Sequence, residues 1–414
     1  MNAKTQAGKP AGEGEARPLG LFALLPLTVG AFAVGTDAFV IAGLLPQVSH
    51  DLHVSVVAAG QMVTLFALTY ALAAPVLAAT LSRYPRQRLL LLALTIFVLA
   101  NLGSALAPDF AVLAVTRVVA AFGAGLFTPN AAAAAALSVD PKVRGRALAL
   151  VFGGLTVANV LGVPLGTFIS VGSSWRWAFV FVAGLGAVAL AGVLVWLRRL
   201  PPPFQVSLSK RIVMLRDPRV VTVLAAALVG SAAGFGFYVY LASELGSIAH
   251  VTVHQLPVYF LINGVAGVLG GQAGGWLVDR YPVSRVAAAG LVAMAAVLIL
   301  VPYAGRAHVS AALFLAGFGF TSTFVYVPFQ HRLTGLAPTA ATELLALNSS
   351  ALYLGIAFAA GLGGALLSAT SARTLPVACG ILAVLALVLF SGSYAARTQR
   401  ASVLPSPDVE RTSL

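Results

Sequence analysis

Twelve apolar runs, each close to the roughly 20 residues a helix needs to cross a bilayer, leave this chain little choice of fold. They are Leu19–Leu45, Ser55–Leu81, Leu89–Leu106, Phe110–Ala136, Ala147–Val171, Trp177–Leu197, Val220–Ala242, Leu256–Val278, Val286–Tyr303, Val309–Val327, Leu344–Ala369 and Leu375–Ala395. Composition agrees: 59% of the 414 residues are hydrophobic and only 9% are charged, against about 25% charged in an ordinary soluble domain. So few charges cannot build a water-facing surface, so lipid is the main solvent and helices must satisfy their own backbone. The expectation is an all-α membrane protein with twelve transmembrane helices.

The loops orient the spans. With the N-terminus placed in the cytoplasm, cytoplasmic segments hold 21 of the 25 Lys and Arg residues and the outer loops only Arg176, Arg306 and Arg373, while Arg117 falls inside a span. This asymmetry fits an even number of spans with both ends inside. It also explains the net charge of +13 better than nucleic-acid binding does. The polar first 18 residues, followed by an overlong apolar run, do not read as a cleavable signal. The single cysteine, Cys379, cannot form an intrachain disulfide.

The chain repeats itself. Arg83-Tyr84-Pro85 echoes Arg280-Tyr281-Pro282 at an offset of 197, Leu165-Gly166 echoes Leu362-Gly363 at 197, and Phe122-Gly123 echoes Phe318-Gly319 at 196. Three matches in corresponding spans argue for two pseudo-symmetric six-helix halves. The resulting division is a cytoplasmic tail (1–18), a first half (19–197), a cytoplasmic linker with three consecutive prolines (198–219), a second half (220–396) and a cytoplasmic tail (397–414). Six-span halves around a central cavity are a transporter architecture.

Three motifs carry chemistry. Gly275-x-x-x-Asp279-Arg280-x-x-x-x-Arg285 puts a small residue where helices could approach and an acid at a helix end, where a cation or helix N-terminus could pair with it. It is a latch or a charged loop that only sets topology. The first-half copy keeps Arg83 and Arg88 but has Ala78 and Ser82 in place of glycine and aspartate. In the fifth span, Gly162-Val163-Pro164-Leu165-Gly166 combines a helix-bending proline with two glycines on one face. The first span reads Gly35-Thr36-Asp37, and an acid at mid-membrane costs roughly 2.5–3.5 kcal/mol. Asp37 either faces a cavity and cycles a proton, or anchors the span near the outer interface. Arg117 in the fourth span, which cannot lose its charge, either pairs with Asp37 or snorkels outward. Glu244, after the seventh span, lines the outer mouth or is a solvated helix end.

These residues resemble the major facilitator superfamily. The Gly275–Arg285 segment resembles its Gly-x-x-x-Asp-Arg-x-x-x-x-Arg signature, which is usually the stronger in the first half. The Gly162–Gly166 segment resembles the Gly-Pro-x-x-Gly element of its antiporter branch. Gly35-Thr36-Asp37 is similar to the opening span of its bacterial drug and metabolite exporters, and the fourth span of the family commonly carries an arginine six residues before a glycine, as Arg117 stands to Gly123. The resemblance implies the major facilitator fold and a secondary transporter of the twelve-span drug:proton antiporter type in the cell membrane, exporting a chloramphenicol-like, sugar-like or purine-like solute. Protons, a small-molecule substrate and lipid would be its partners, and it would act as a monomer without cofactor, metal or nucleic acid. Asp37 and Arg117 would couple protons; Gly162, Pro164, Gly166, Gly275, Asp279, Arg280 and Arg83 would gate. Phe39, Asn130, Phe237, Tyr238, Asn263, Tyr326, Gln330, Asn348 and Tyr353 are the candidate substrate-binding residues. A proton-coupled importer, and a receptor on a transporter scaffold, are the rival readings. No metal spacing, phosphate loop or nucleotide-binding segment points to an enzyme.

Overall fold

The computed structural model describes residues 20–81, 83–197, 200, 213–370 and 373–395. The two tails, most of the linker, Ser82 and the side chain of Ala78 lie outside the described residues. The helices are α1 (Leu25–Asp51), α2 (Val56–Thr80), α3 (Arg86–Ala105), α4 (Phe110–Ser138), α5 (Arg144–Val157), α6 (Val163–Gly172), α7 (Trp175–Trp196), α8 (Pro218–Val239), α9 (Leu241–Ala249), α10 (Leu256–Val278), α11 (Val283–Ala304), α12 (His308–Phe324), α13 (Tyr326–Leu336), α14 (Ala341–Ala369) and α15 (Thr374–Ala395), with no strand among the described residues. Among the described residues, twelve segments are long and apolar enough to span a bilayer.

Local chemistry sets the ends. Ser55 and Asp109 accept hydrogen bonds from the backbone N–H groups of Ala58 and Val112 at 3.0 and 2.9 Å, capping α2 and α4. The fifth span is α5 and α6 joined by a π-turn over Ala158–Gly162. Pro164 has no N–H to give the preceding turn, and the helix accommodates it by widening there rather than by a simple bend.

The two halves use the same pairings. α1 packs on the fifth span and on α7; α8 packs on the eleventh and twelfth spans, α14 and α15. α3 packs on α4 and α7, as α11 packs on α12 and α15. Across the halves, α2 meets α14, the fifth span meets α10, and α1 meets α8 and α9. Small residues permit these approaches where hydrophobicity alone cannot drive helices together in lipid. A Cβ on Gly264 of α10, for example, would stand 2.8 Å from Val160 Cα in the π-turn of the other half.

Candidate functional site: a central cavity beside a buried ion pair

A cavity of about 570 Å³ lies between the halves. Its lining begins at Phe39, Phe235 and Tyr238 and continues toward the basic end of the bundle through Phe152 and Thr156 of α5, Gln272 of α10, Phe329 of α13 and Ser349 of α14. At the opposite end Phe39 of the first half meets aromatic rings of the second. Phe39 stacks on Phe235 at 5.5 Å and meets Tyr238 edge-on at 6.2 Å, while Tyr238 meets Phe260 at 5.8 Å.

Behind these rings sits Tyr240, fully buried, its hydroxyl donating to the Ala360 carbonyl at 2.8 Å. Its ring is clasped by glycines of both halves. A Cβ on Gly363 would lie 2.8 Å from the ring, one on Gly364 2.9 Å from the hydroxyl, and one on Gly60 of α2 would collide with it. Tyr240→Ala is expected to destabilise the folded protein by about 3–5 kcal/mol, the usual range for emptying a large aromatic site. Tyr240→Phe, losing only the hydrogen bond, should cost about 1 kcal/mol. Unfolding of the two variants in detergent checks the ordering.

Asp37 and Arg117 come together. Arg117 Nη1 donates to Asp37 Oδ1 at 2.6 Å and Nη2 to Oδ2 at 3.1 Å, with both side chains fully buried. Nη2 also lies 3.4 Å from the Asp37 carbonyl. The guanidinium packs over Phe66 at 4.7 Å and Phe179 at 5.5 Å. Neither residue reaches an interface: the snorkelling and anchoring readings do not hold. Asp37 does not face the cavity either. Between them stands an aromatic layer, Phe66 stacked near Tyr70 at 6.4 Å and Tyr70 on Tyr353 at 3.8 Å, the two tyrosines lining the cavity. Asn101 of α3 lies beside the carboxylate, its Oδ1 buried and without a partner among the described residues. A lone asparagine in the third span was the signal that would have found it.

Of the nine substrate-binding candidates, Phe39, Tyr238, Asn263, Tyr326 and Tyr353 line the cavity. Four do not. The Asn130 amide donates to the Leu126 carbonyl of its own helix at 2.8 Å, Phe237 is packed edge-on against Phe318 behind the wall at 5.0 Å, Gln330 is exposed, and Asn348 is buried. Helical spacing separates Phe237 from the true lining: Phe235 and Tyr238, three apart, share a face, and Phe237 lies between them. Tyr70, Asn159, Ser231, Phe318 and Phe329 also line the cavity and were missed, since a single apolar or hydroxyl side chain in a span carries no mark of which way it faces.

Gly162 and Gly166 lie against α1. A Cβ on Gly162 would collide with the Thr36 hydroxyl and lie 3.0 Å from Thr36 Cβ; one on Gly166 would stand 2.5 Å from Val40 Cγ2. The helix they admit is therefore the one that carries Asp37. Gly275 is different: a Cβ there would meet nothing within 4 Å, and it is Gly274 that approaches Phe324, at 2.8 Å from the carbonyl oxygen. Asp279 is exposed and, among the described residues, forms no ion pair. Arg280 turns back on Trp276, 4.0 Å from the ring and donating to its carbonyl at 3.2 Å, and Arg83 lies over Tyr84 at 5.4 Å. Among the described residues the latch is not made in this state, and two of its arginines are stacked on their own neighbours.

Glu244 stands on α9, beyond the seventh span, and is neither solvated nor in the cavity wall. It is 1% exposed, and neither carboxylate oxygen has a partner among the described residues. Burial pushes its carboxyl up from 4.5 to about 8. The folded chain therefore holds a proton that the unfolded chain releases, so Glu244's contribution to stability is fully present below pH 4.5 and is lost as pH rises to about 8. The slope is at most about 1.4 kcal/mol per pH unit. Unfolding temperatures between roughly pH 5 and 8 should fall for the wild type and flatten in Glu244→Gln; equal slopes would assign the decline to another group.

Comparison with known proteins gives the same architecture. Residues 27–344 match the sequence family described as the Major Facilitator Superfamily. The chain is 32% identical over 369 residues to the "Inner membrane transport protein YdhP" of Escherichia coli O157:H7, covering 89% of this chain and 95% of that protein. It is 28% identical over 390 residues to the "Putative transporter AraJ" of Escherichia coli strain K12, covering 92% and 97%. Among solved structures, a bacterial homolog of the human lysosomal transporter Spinster, inward-facing and occupied, superposes with a TM-score of 0.72 at 20% identity, covering 91% of this chain and 97% of that one. A D-xylose–proton symporter superposes at 0.73 with 17% identity, covering 89% and 97%. At these identities the two structures speak for the fold alone.

Proposed function

The chain belongs to the major facilitator superfamily, and on that premise we propose that it exports a small amphipathic drug or metabolite in exchange for protons, by alternating access. The observation that carries this reading is the buried Asp37–Arg117 pair, one aromatic layer from the cavity. Such a pair contributes little net stability once desolvation is counted. It is the kind of element a membrane protein retains for switching rather than for packing.

In this reading the basic end of the bundle is cytoplasmic, which the loop charges favour, and both termini lie on that side of the inner membrane. The cavity then reaches toward the cytoplasm in this state, with the outer side sealed at Phe39, Phe235 and Tyr238. A proton on Asp37 removes the counter-charge of Arg117. The guanidinium must then find another acceptor, and the unpartnered Oδ1 of Asn101, beside the Asp37 carboxylate, is a candidate. Any shift of Asp37 is carried along α1 to Phe39, half a turn away in the outer seal. The fifth span, held on α1 through Gly162 and Gly166, moves with it or blocks leak. The similarity of that span to the antiporter branch favours export over import.

One proton suffices. A potential of 100 mV supplies about 2.3 kcal/mol per charge, and one pH unit about 1.4 kcal/mol. Together they sustain a solute ratio of several hundred-fold, at about 1.4 kcal/mol per tenfold. The test begins with growth of an overexpressing strain on a panel of drugs, sugars and purines. Cellular accumulation of each compound to which it becomes resistant is then followed with and without a protonophore. Proton-driven export is lost with the protonophore; export that survives collapse of the gradient rejects this reading.

A further inference from the structure

Glu244 is a buried acid that proton exchange at Asp37 leaves unused. Its side chain is enclosed, and neither carboxylate oxygen has a hydrogen-bond partner among the described residues. A carboxyl in such a site keeps its proton, because the charged form would stand without water or a counter-ion. The helices around it supply no counter-ion. α9 packs on α1, α8 and α12. On α1 the titratable groups are Asp37, held by Arg117, and the exposed pair His50 and Asp51, 3.2 Å apart. On α8 they are Arg219, at the opposite end of that helix, and Tyr238, in contact with Phe39. On α12 it is His308, 3.2 Å from the Tyr259 hydroxyl. Cys379 of α15 lies near Glu244 and is itself buried.

The site stands on the seam between the halves, at the outer end in the orientation proposed above. α1, on which α9 packs, belongs to the other half. The Glu244 backbone N–H donates to the Tyr240 carbonyl at 2.9 Å, and the Tyr240 ring lies against Gly60 of α2, also of the other half. Opening of the outer side parts α1 and α2 from α9 and Tyr240. Water then reaches a carboxyl that is dry while the halves are together. Glu244 is not part of the cavity lining, so the cavity gives its proton no exit toward the cytoplasm in this state.

We propose that Glu244 is a second proton site, loaded from the outer side, whose proton holds the outer seal shut. When the halves part there, the carboxyl is hydrated and gives its proton to the outer water; when it takes a proton back, the seal can close over a neutral group. Each proton returns to the side it came from. The site therefore sets the balance between the two states without adding to the protons exchanged. This rests on the alternating access of the reading above, and does not depend on export or on Asp37.

The experiment reads the outer opening at equilibrium, in the purified full chain without solute or gradient. Spin labels on Leu106→Cys and Val309→Cys, exposed positions at the outer ends of the two halves, report their separation by double electron–electron resonance; the chain with Cys379 alone gives the background. Burial raises the Glu244 carboxyl from 4.5 to about 8 in the closed state. Closure is therefore favoured most below pH 4.5 and loses that advantage as pH rises to about 8. The ratio of open to closed molecules should rise by up to about tenfold per pH unit between roughly pH 5 and 8. Glu244→Gln, which keeps the neutral shape, should stay closed, its ratio moving less than about twofold per pH unit. Glu244→Asp, which keeps the acid, should still open as pH rises. An equal slope in Glu244→Gln, a wild-type separation that ignores pH, or opening on acidification overturns the proposal. Export that survives collapse of the proton gradient, with the pH-dependent opening intact, would instead reject only the coupling at Asp37.

Discussion

Replacing Asp37 by asparagine is expected to abolish the proposed proton-driven export and to leave a folded but weakened protein. Two effects separate here. The coupling effect should be complete, because asparagine neither binds nor releases a proton. The stability effect comes from the partner: Arg117 keeps its charge and is left fully buried with Phe66 and Phe179 against its faces and no carboxylate. Orphaning one member of a buried pair costs about 3–5 kcal/mol, whereas removing both charges together is often nearly neutral. Asp37→Asn/Arg117→Gln is therefore expected to regain most of the unfolding temperature that Asp37→Asn loses, and none of the export. Thermal unfolding and accumulation assays on the same preparations read the two effects independently. Export at the wild-type level in Asp37→Asn would remove Asp37 from the mechanism.

Gly162→Leu is expected to stop the cycle or open a leak. Its first side-chain atom would occupy the place of the Thr36 hydroxyl, with Thr36 Cγ2 at 3.2 Å, so α1 and the fifth span must part beside Asp37. Overpacking of this kind costs about 1–3 kcal/mol, which a protein of ordinary stability survives. Loss of function would then exceed what the lost stability explains. Gly153→Leu, on the same span where a Cβ meets nothing within 4 Å, is the matched control and should export normally. Wild-type export in Gly162→Leu would reduce the motif to ordinary packing.

The scaffold was legible because lipid imposes it. Span length, the charge bias of the loops and the 197-residue offset all follow from rules that act on many residues at once. The Asp37–Arg117 pair was legible for a related reason: two opposite charges in apolar spans of one half have few other ways to be satisfied. Its place behind the cavity wall was not, because sequence gives the depth of a residue better than the face it occupies. The same limit explains Phe237 and Asn130, which carry suitable chemistry and point elsewhere. Gly275 shows the opposite error. The motif names the position, but one residue of helical rotation, about 100°, hands the close contact to Gly274. Tyr240 is one of four aromatic residues in the stretch from Phe235 to Tyr240, and it is the glycines packed around it that set it apart.

The coupling claim is tested most directly in proteoliposomes holding a preset pH gradient, read by an entrapped pH-sensitive dye. On addition of a compound the protein exports, the wild-type vesicles should lose the gradient at a rate that tracks solute movement, and Asp37→Asn vesicles should keep it. Solute flux in wild-type vesicles with an unchanged gradient, or equal loss of the gradient in the variant, would contradict the account.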